Sequence, residues 1–237
     1  MTGVSDVAEK TEIPQVDAGC QEAADVPMGA EERAGMLRGY AVLARACAAV
    51  LVNEPSDKVI ADIDRVARAL DDESFADIVA DDTLRQRYYD RFFVSSTPYF
   101  VPLTESAVVK RWTSEGRLHY GALDSARCDH VQRCYKTVGF DCRAIEGYAP
   151  AIQNLHPDSM ACELVFLAGL AEVATHGEVS APAAERLLVE FARLHARWFA
   201  DAATCLTATD NDLYARTVAF AAENTAQLTD ALADTVA

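Results

Sequence analysis

"HPDSMACELVFLAGLAEVATHG", His156 to Gly177, is the stretch whose reading decides the fold. Met160, Leu164, Leu167 and Ala171 recur in it at helical spacing, and Gly177 stands where such a helix would end. The same period continues downstream. A helix is predicted from Ser180, with Pro182 in its first turn, through Leu187, Phe191, Leu194, Trp198 and Cys205. A final helix carries Tyr214, Val218, Ala221, Thr225, Leu228 and Leu232.

Upstream, Met36, Tyr40, Leu43, Cys47 and Val50 give one long helix an apolar face, and Asn53-Glu54-Pro55 ends it. Ser56 is placed to cap the next helix, which runs to about Leu70. The acidic run "DDESFADIVADD" (71–82) is read as a short helix with solvated ends. "TLRQRYYDRFFV" puts Leu84, Tyr88 and Phe92 on one face. A loop with Pro98 and Pro102 leads to a short helix capped by Thr104. "TSEGRLHYGAL" (113–123) reads as a loop, and "DSARCDHVQRCYKTVG" (124–139) as a helix stopped at Gly139. No stretch shows a convincing strand period and no repeat is present. The expected fold is all-α, a single-domain bundle of about eight to ten helices over residues 31–237. Residues 1–30 are polar and acidic, without apolar period, and are expected to form a disordered tail.

Charge and cysteine usage narrow the function. The net charge of −16 argues against a nucleic-acid partner, whose binding face is basic. The charge is uneven: residues 83–136 hold nine bases and five acids, between two acidic arms. Such a body attracts cationic ligands. Seven scattered cysteines suit reduced thiols in a cytoplasm better than a disulfide framework. Uninterrupted apolar runs fall far short of the roughly 20 residues a bilayer span requires, so no stable membrane insertion is expected. The N-terminus does not read as a secretory signal.

Few residues suggest chemistry. There is no Gly-rich phosphate loop, no nucleophile elbow and no HExxH. "CDHVQRCYKTVGFDC" places His130 and Cys134 four apart on one helix face, a candidate metal pair. Cys128 points elsewhere and Cys142 lies beyond a glycine turn, so thiols packed as small apolar groups explain the stretch more simply. His195, beside Trp198 and Phe199 in "LHARWF", has the position of a haem ligand or of a histidine satisfied near the core. An all-α haem- or metal-binding domain using His195 or the His130/Cys134 pair is therefore the alternative function.

Two further stretches carry a resemblance. "RYYDRFFVSSTPYFVPLTESAV" (87–108) joins an aromatic helix end to a proline loop and a single acid, Glu105. Some fifty residues on, "YKTVGFDCRAIEGYAPAIQNLHPDSMACELVFLAGLAEV" (135–173) holds a Pro-Asp turn that opens a helix, and "LVEFARLHARWFADAA" (188–203) closes the series. In that order these resemble the motifs of the TorD/DmsD/NarJ family of redox-enzyme maturation chaperones, over about residues 36–230. Four residues depart from the family pattern. Ser159 stands for its histidine after Pro-Asp, Asn154 and Leu155 stand for an acidic residue upstream, and Thr104 stands for the aromatic before Glu105.

The resemblance implies a cytoplasmic chaperone rather than an enzyme, with no cofactor of its own. Its partner would be a molybdopterin-containing oxidoreductase subunit, held by its twin-arginine signal peptide or N-terminal segment until the cofactor is inserted. Both a monomer and a homodimer fit. A signal peptide has a cationic head and an apolar stretch, so its receptor needs an acidic rim beside an apolar groove. Tyr99, Pro102, Glu105, Pro157, Asp158 and Ser159 are the expected peptide-binding residues, with Glu105 and Asp158 as the acids. Asp158 also has the position of a residue that satisfies free amides at a helix start.

Overall fold

A computed structural model describes residues 28–176 and 179–233. Residues 1–27 of the expected tail, and Gly177 at the expected helix stop, lie outside the described residues. Among the described residues ten α-helices form the body, in agreement with the all-α expectation. They are α1 (Ala30–Val52), α2 (Asp57–Arg68), α3 (Asp82–Phe92), α4 (Glu105–Val109), α5 (Ala126–Thr137), α6 (Ala149–Gln153), α7 (Met160–Thr175), α8 (Ala181–His195), α9 (Trp198–Thr207) and α10 (Leu213–Ala231). A hairpin of β1 (Trp112–Ser114) and β2 (Arg117–His119) lies between α4 and α5.

The core is built on α1 and α7, which pack along each other. In α1, Leu37, Tyr40, Ala44, Cys47 and Leu51 follow the helical period, and Leu43 and Val50 widen the buried face. By length and mean hydropathy α1 would pass for a membrane span, yet in this fold that apolar face is covered by α7, α10 and α2. The helix ends where Asn53 turns extended before Glu54-Pro55, and the Asn53 amide returns to the Ala49 carbonyl at 2.9 Å. Helix α7 is buried nearly all round, with Cys162, Phe166, Ala168 and Leu170 covering faces beyond the predicted stripe. α8 flanks it, and α10 packs on α1, α8 and α9. Tyr40 and Thr225 tie α1 to α10 through a buried hydrogen bond of 2.9 Å.

Three local expectations are corrected. Residues 71–81 hold turns instead of a helix. Asp71 has φ 58°, and the Asp72 carboxylate accepts from Ser74 N at 2.7 Å, a local bond that competes with helix. Phe75 is buried, edge-on against Phe220, and Ile78 and Ala80 pack half-buried on the core. The loop expected at 113–123 contains the hairpin, because Glu115 (φ 52°) and Gly116 (φ 73°) supply the two left-handed positions of a tight two-residue turn. The single helix expected from Ser180 to Cys205 breaks at Ala196-Arg197 into α8 and α9. Neither residue is a helix breaker, and Leu194, expected inside, is exposed.

The C-terminal end of α3 is fixed by a buried cation. Arg91 is fully buried; it donates to Asp212 Oδ2 at 2.7 Å, to the Asp210 carbonyl at 2.9 Å and to Thr209 Oγ1 at 3.2 Å. Asp212 in turn caps α10 through Tyr214 N and Ala215 N, both at 3.0 Å. This joins the aromatic helix end to the α9–α10 turn, and Val101 N follows onto the Arg91 carbonyl. Removing one partner of a buried ion pair leaves the other charge uncompensated, at a cost of about 3–5 kcal/mol. Arg91→Ala should therefore lower the unfolding free energy by about that amount in urea denaturation, whereas Arg85→Ala, an exposed pair with Asp82, should change it by less than about 1 kcal/mol.

Candidate functional site: two paired loops beside an apolar cavity

The two motif segments that lie about fifty residues apart in sequence meet in space. Thr104 and Ser159 form an isolated antiparallel bridge. Glu105 N donates to the Asp158 carbonyl at 2.9 Å, and Met160 N to the Leu103 carbonyl at 2.9 Å. The Asp158 side chain completes the junction: Oδ2 accepts from Ser106 N at 2.9 Å and from Ser106 Oγ at 2.5 Å. Asp158 does satisfy a helix start, but that of α4, not of α7, the helix it precedes. Neither Thr104 nor Ser159 caps its own helix with its side chain.

Both acids expected at the rim are buried, Asp158 at 0% and Glu105 at 1% exposure. Glu105 Oε1 takes a 2.5 Å bond from Arg127 on α5, and Oε2 takes the Nδ1–H of His195 on α8 at 2.7 Å. That assigns the His195 Nε2 lone pair to face His130 Nδ1, 2.6 Å away. Cys134 Sγ lies 4.0 Å from the same His130 nitrogen. The chain Arg127–Glu105–His195–His130–Cys134 thus sews α4, α5 and α8 together. A second carboxyl, Glu163 on α7, is fully buried and accepts from Trp198 Nε1 at 2.9 Å. Burial, followed by the charge of nearby Glu105, pushes its pKa well above the ordinary carboxylate range. Burial, then the neighbouring His195, lowers that of His130.

Beside the loop junction is an apolar cavity of about 340 Å³. Phe92, Phe100, Pro102, Leu103, Leu123 and Leu155 line it, with Thr104 and Ser159 from the bridge. Of the expected site residues, Pro102 and Ser159 reach this wall, and Glu105 and Asp158 sit behind it. The Tyr99 ring lies under the Arg87 guanidinium at 3.3 Å, and the Pro157 carbonyl accepts from Tyr135 at 2.9 Å. Thr104 Oγ1 is buried and without a partner. An exposed acid beside this wall is one not among the expected site residues: Asp124, 94% exposed, stands 3.9 Å from cavity-lining His156. Its only sequence signal was a place beside Ser125, the cap of α5.

A haem at His195 would have to displace His130 from Nε2 and reach a side chain that is 2% exposed, which this geometry disfavours. His195 and the His130/Cys134 pair, weighed separately from sequence, prove to be one cluster.

Two predictions follow from these contacts. Asp158→Ala should destabilise the fold by about 1–2 kcal/mol through loss of the α4 cap, while Asp158→Asn retains an acceptor and most of that stability, as thermal melts would show. Glu163 should make stability fall with rising pH. Below its ordinary value of 4.5 it is protonated whether folded or unfolded. Above that value the unfolded chain releases the proton while the folded protein keeps it, so folding is progressively penalised up to the raised pKa. Glu163→Gln keeps an acceptor for Trp198 and removes the titration. Its stability advantage over the parent should therefore grow as pH rises above 4.5, measured by denaturant melts at several pH values.

Comparison with solved structures gives a likeness to a proposed redox enzyme maturation protein from Archaeoglobus fulgidus, 14% identical, covering 84% of this chain and 97% of that one, with a TM-score of 0.44. A likeness of that size says nothing by itself about what this chain does. No protein-family model matches the chain, and no curated protein matches it.

Proposed function

We propose that the protein is a cytoplasmic maturation chaperone that holds the twin-arginine signal peptide or N-terminal segment of a molybdopterin-containing oxidoreductase. The observation that carries this reading is the meeting of the two motif loops. Segments singled out by sequence for one peptide-binding role are hydrogen-bonded to each other and supply Pro102, Leu103, Thr104 and Ser159 to one apolar wall. The apolar stretch of a signal peptide fits such a wall. The cationic head is met differently from the sequence expectation. Glu105 and Asp158 hold the wall in place from behind, and exposed Asp124, in a chain of net charge −16, supplies the local field. No group in this arrangement is assigned a catalytic task.

Titration calorimetry of the full chain with a synthetic twin-arginine signal peptide tests the reading. Binding should weaken about tenfold in Leu155→Ala, which removes apolar contact, and more in Leu123→Asp. Asp124→Lys should weaken it chiefly at low salt, since an exposed charge is screened over about 8 Å at physiological ionic strength. Melting temperatures should stay near that of the parent for Leu123→Asp and Asp124→Lys, both of which alter exposed side chains. Absence of peptide binding, or binding unaltered by both leucine variants, would overturn the proposal.

A further inference from the structure

His130, Cys134 and His195 present Nδ1, Sγ and Nε2 within 4.8 Å of one another. We propose that these three side chains form a binding site for a zinc-class transition-metal ion, independent of the peptide wall. Two of the ligands come from α5 at i and i+4, so one helix face carries both. The third arrives from α8, 61 residues beyond Cys134, and could not be joined to the pair by spacing. Nitrogen and thiolate donors of this kind select zinc or another borderline-soft metal over magnesium or calcium, which take oxygen.

The surroundings of His195 are those of a prepared ligand. Glu105 Oε2 accepts its Nδ1–H at 2.7 Å, leaving Nε2 as the coordinating nitrogen, and Arg127 holds the other carboxylate oxygen. A carboxylate behind a histidine in this way fixes the ring and raises its basicity toward a metal. His195 is buried, whereas His130 and Cys134 are half-buried, so the open side of the site faces solvent. Three protein ligands with a fourth position left to water is the arrangement of an open zinc site. Arg133 lies near enough to His130 to act against a cation, and the Glu105 carboxylate offsets it.

The two histidine nitrogens are 2.6 Å apart, the separation of a shared proton. Two nitrogens on one tetrahedral zinc stand about 3.3 Å apart, given bonds of about 2.0 Å. Metal entry therefore shifts the proton between the rings from His130 Nδ1 to its own Nε2, releases another from the Cys134 thiol to solvent, and moves the imidazoles apart by under an ångström. His195 is pinned by Glu105, so the movement falls to His130 on the half-exposed face of α5. Loading joins α5 to α8 through a bond stronger than the hydrogen bond it replaces.

Cobalt(II) and zinc(II) are the probes. The metal-free full chain, reduced and desalted, should bind one equivalent of Co²⁺ with the visible bands of a tetrahedral site and a thiolate-to-cobalt charge-transfer band. One equivalent of Zn²⁺ should bleach both and raise the melting temperature. Cys134→Ser should lose the charge-transfer band, and His130→Ala should weaken binding by more than about the tenfold to hundredfold typical of losing a supporting residue. Both substituted side chains are half-buried, so melts of the metal-free variants serve as the folding control; Cys142→Ser should behave as the parent. Absence of stoichiometric binding, an octahedral spectrum without the thiolate band, or equal affinity in the parent, His130→Ala and Cys134→Ser would overturn the proposal and leave a proton-sharing histidine pair.

Discussion

Amide groups at a helix start that is shut away from water must find acceptors, and here two helix starts meet that requirement for one another. The first amide of α4 donates to the Asp158 carbonyl, the second to the Asp158 carboxylate, and the first of α7 to the Leu103 carbonyl. Each buried amide left unmet would cost about 1–3 kcal/mol, so the loops before α4 and α7 cannot separate without exposing or orphaning several groups at once. Much else takes its position from this junction. It aims Glu105 inward, toward Arg127 and His195, and it holds Pro102, Leu103 and Thr104 along one wall.

Glu105 then extends the constraint sideways. A carboxylate enclosed among helices needs hydrogen-bond donors, and it takes them from α5 and α8. The result is a polar seam through an apolar interior, with Glu163 beside Glu105 and His195 and bonded to Trp198. Polar groups satisfied in this way specify one packing of α4, α5 and α8, because sliding any of them leaves a buried partner alone. The same seam brings His130, Cys134 and His195 together. The apolar wall and the His130–Cys134–His195 cluster are thus two consequences of one loop junction.

The sequence by itself determined the helices whose faces are apolar over several turns. α1, α7 and α10 are long, and their buried positions repeat at the helical spacing, so local pattern and tertiary burial agree. Ser56 is the cap it was read to be, accepting from Val59 N. Local chemistry was also present at the hairpin, in Glu115-Gly116, although strands of three residues are too short to show a period. The bend at Ala196-Arg197 had no such signal. Its residues are good helix formers, and the break is set by packing that directs Trp198 toward Glu163.

The candidate site divides along the same line. Pattern located both loops and the residue types in them, and it recognised that Asp158 could satisfy a helix start. Tertiary structure decided which helix, and with that decision turned Glu105 and Asp158 from surface charges into buried supports. It also decided that His195 belongs with His130 and Cys134. A helical period relates residues three or four apart, because one turn brings them to the same face. Contacts between α4, α5, α7 and α8 join positions separated by many tens of residues, and only the folded chain carries that information.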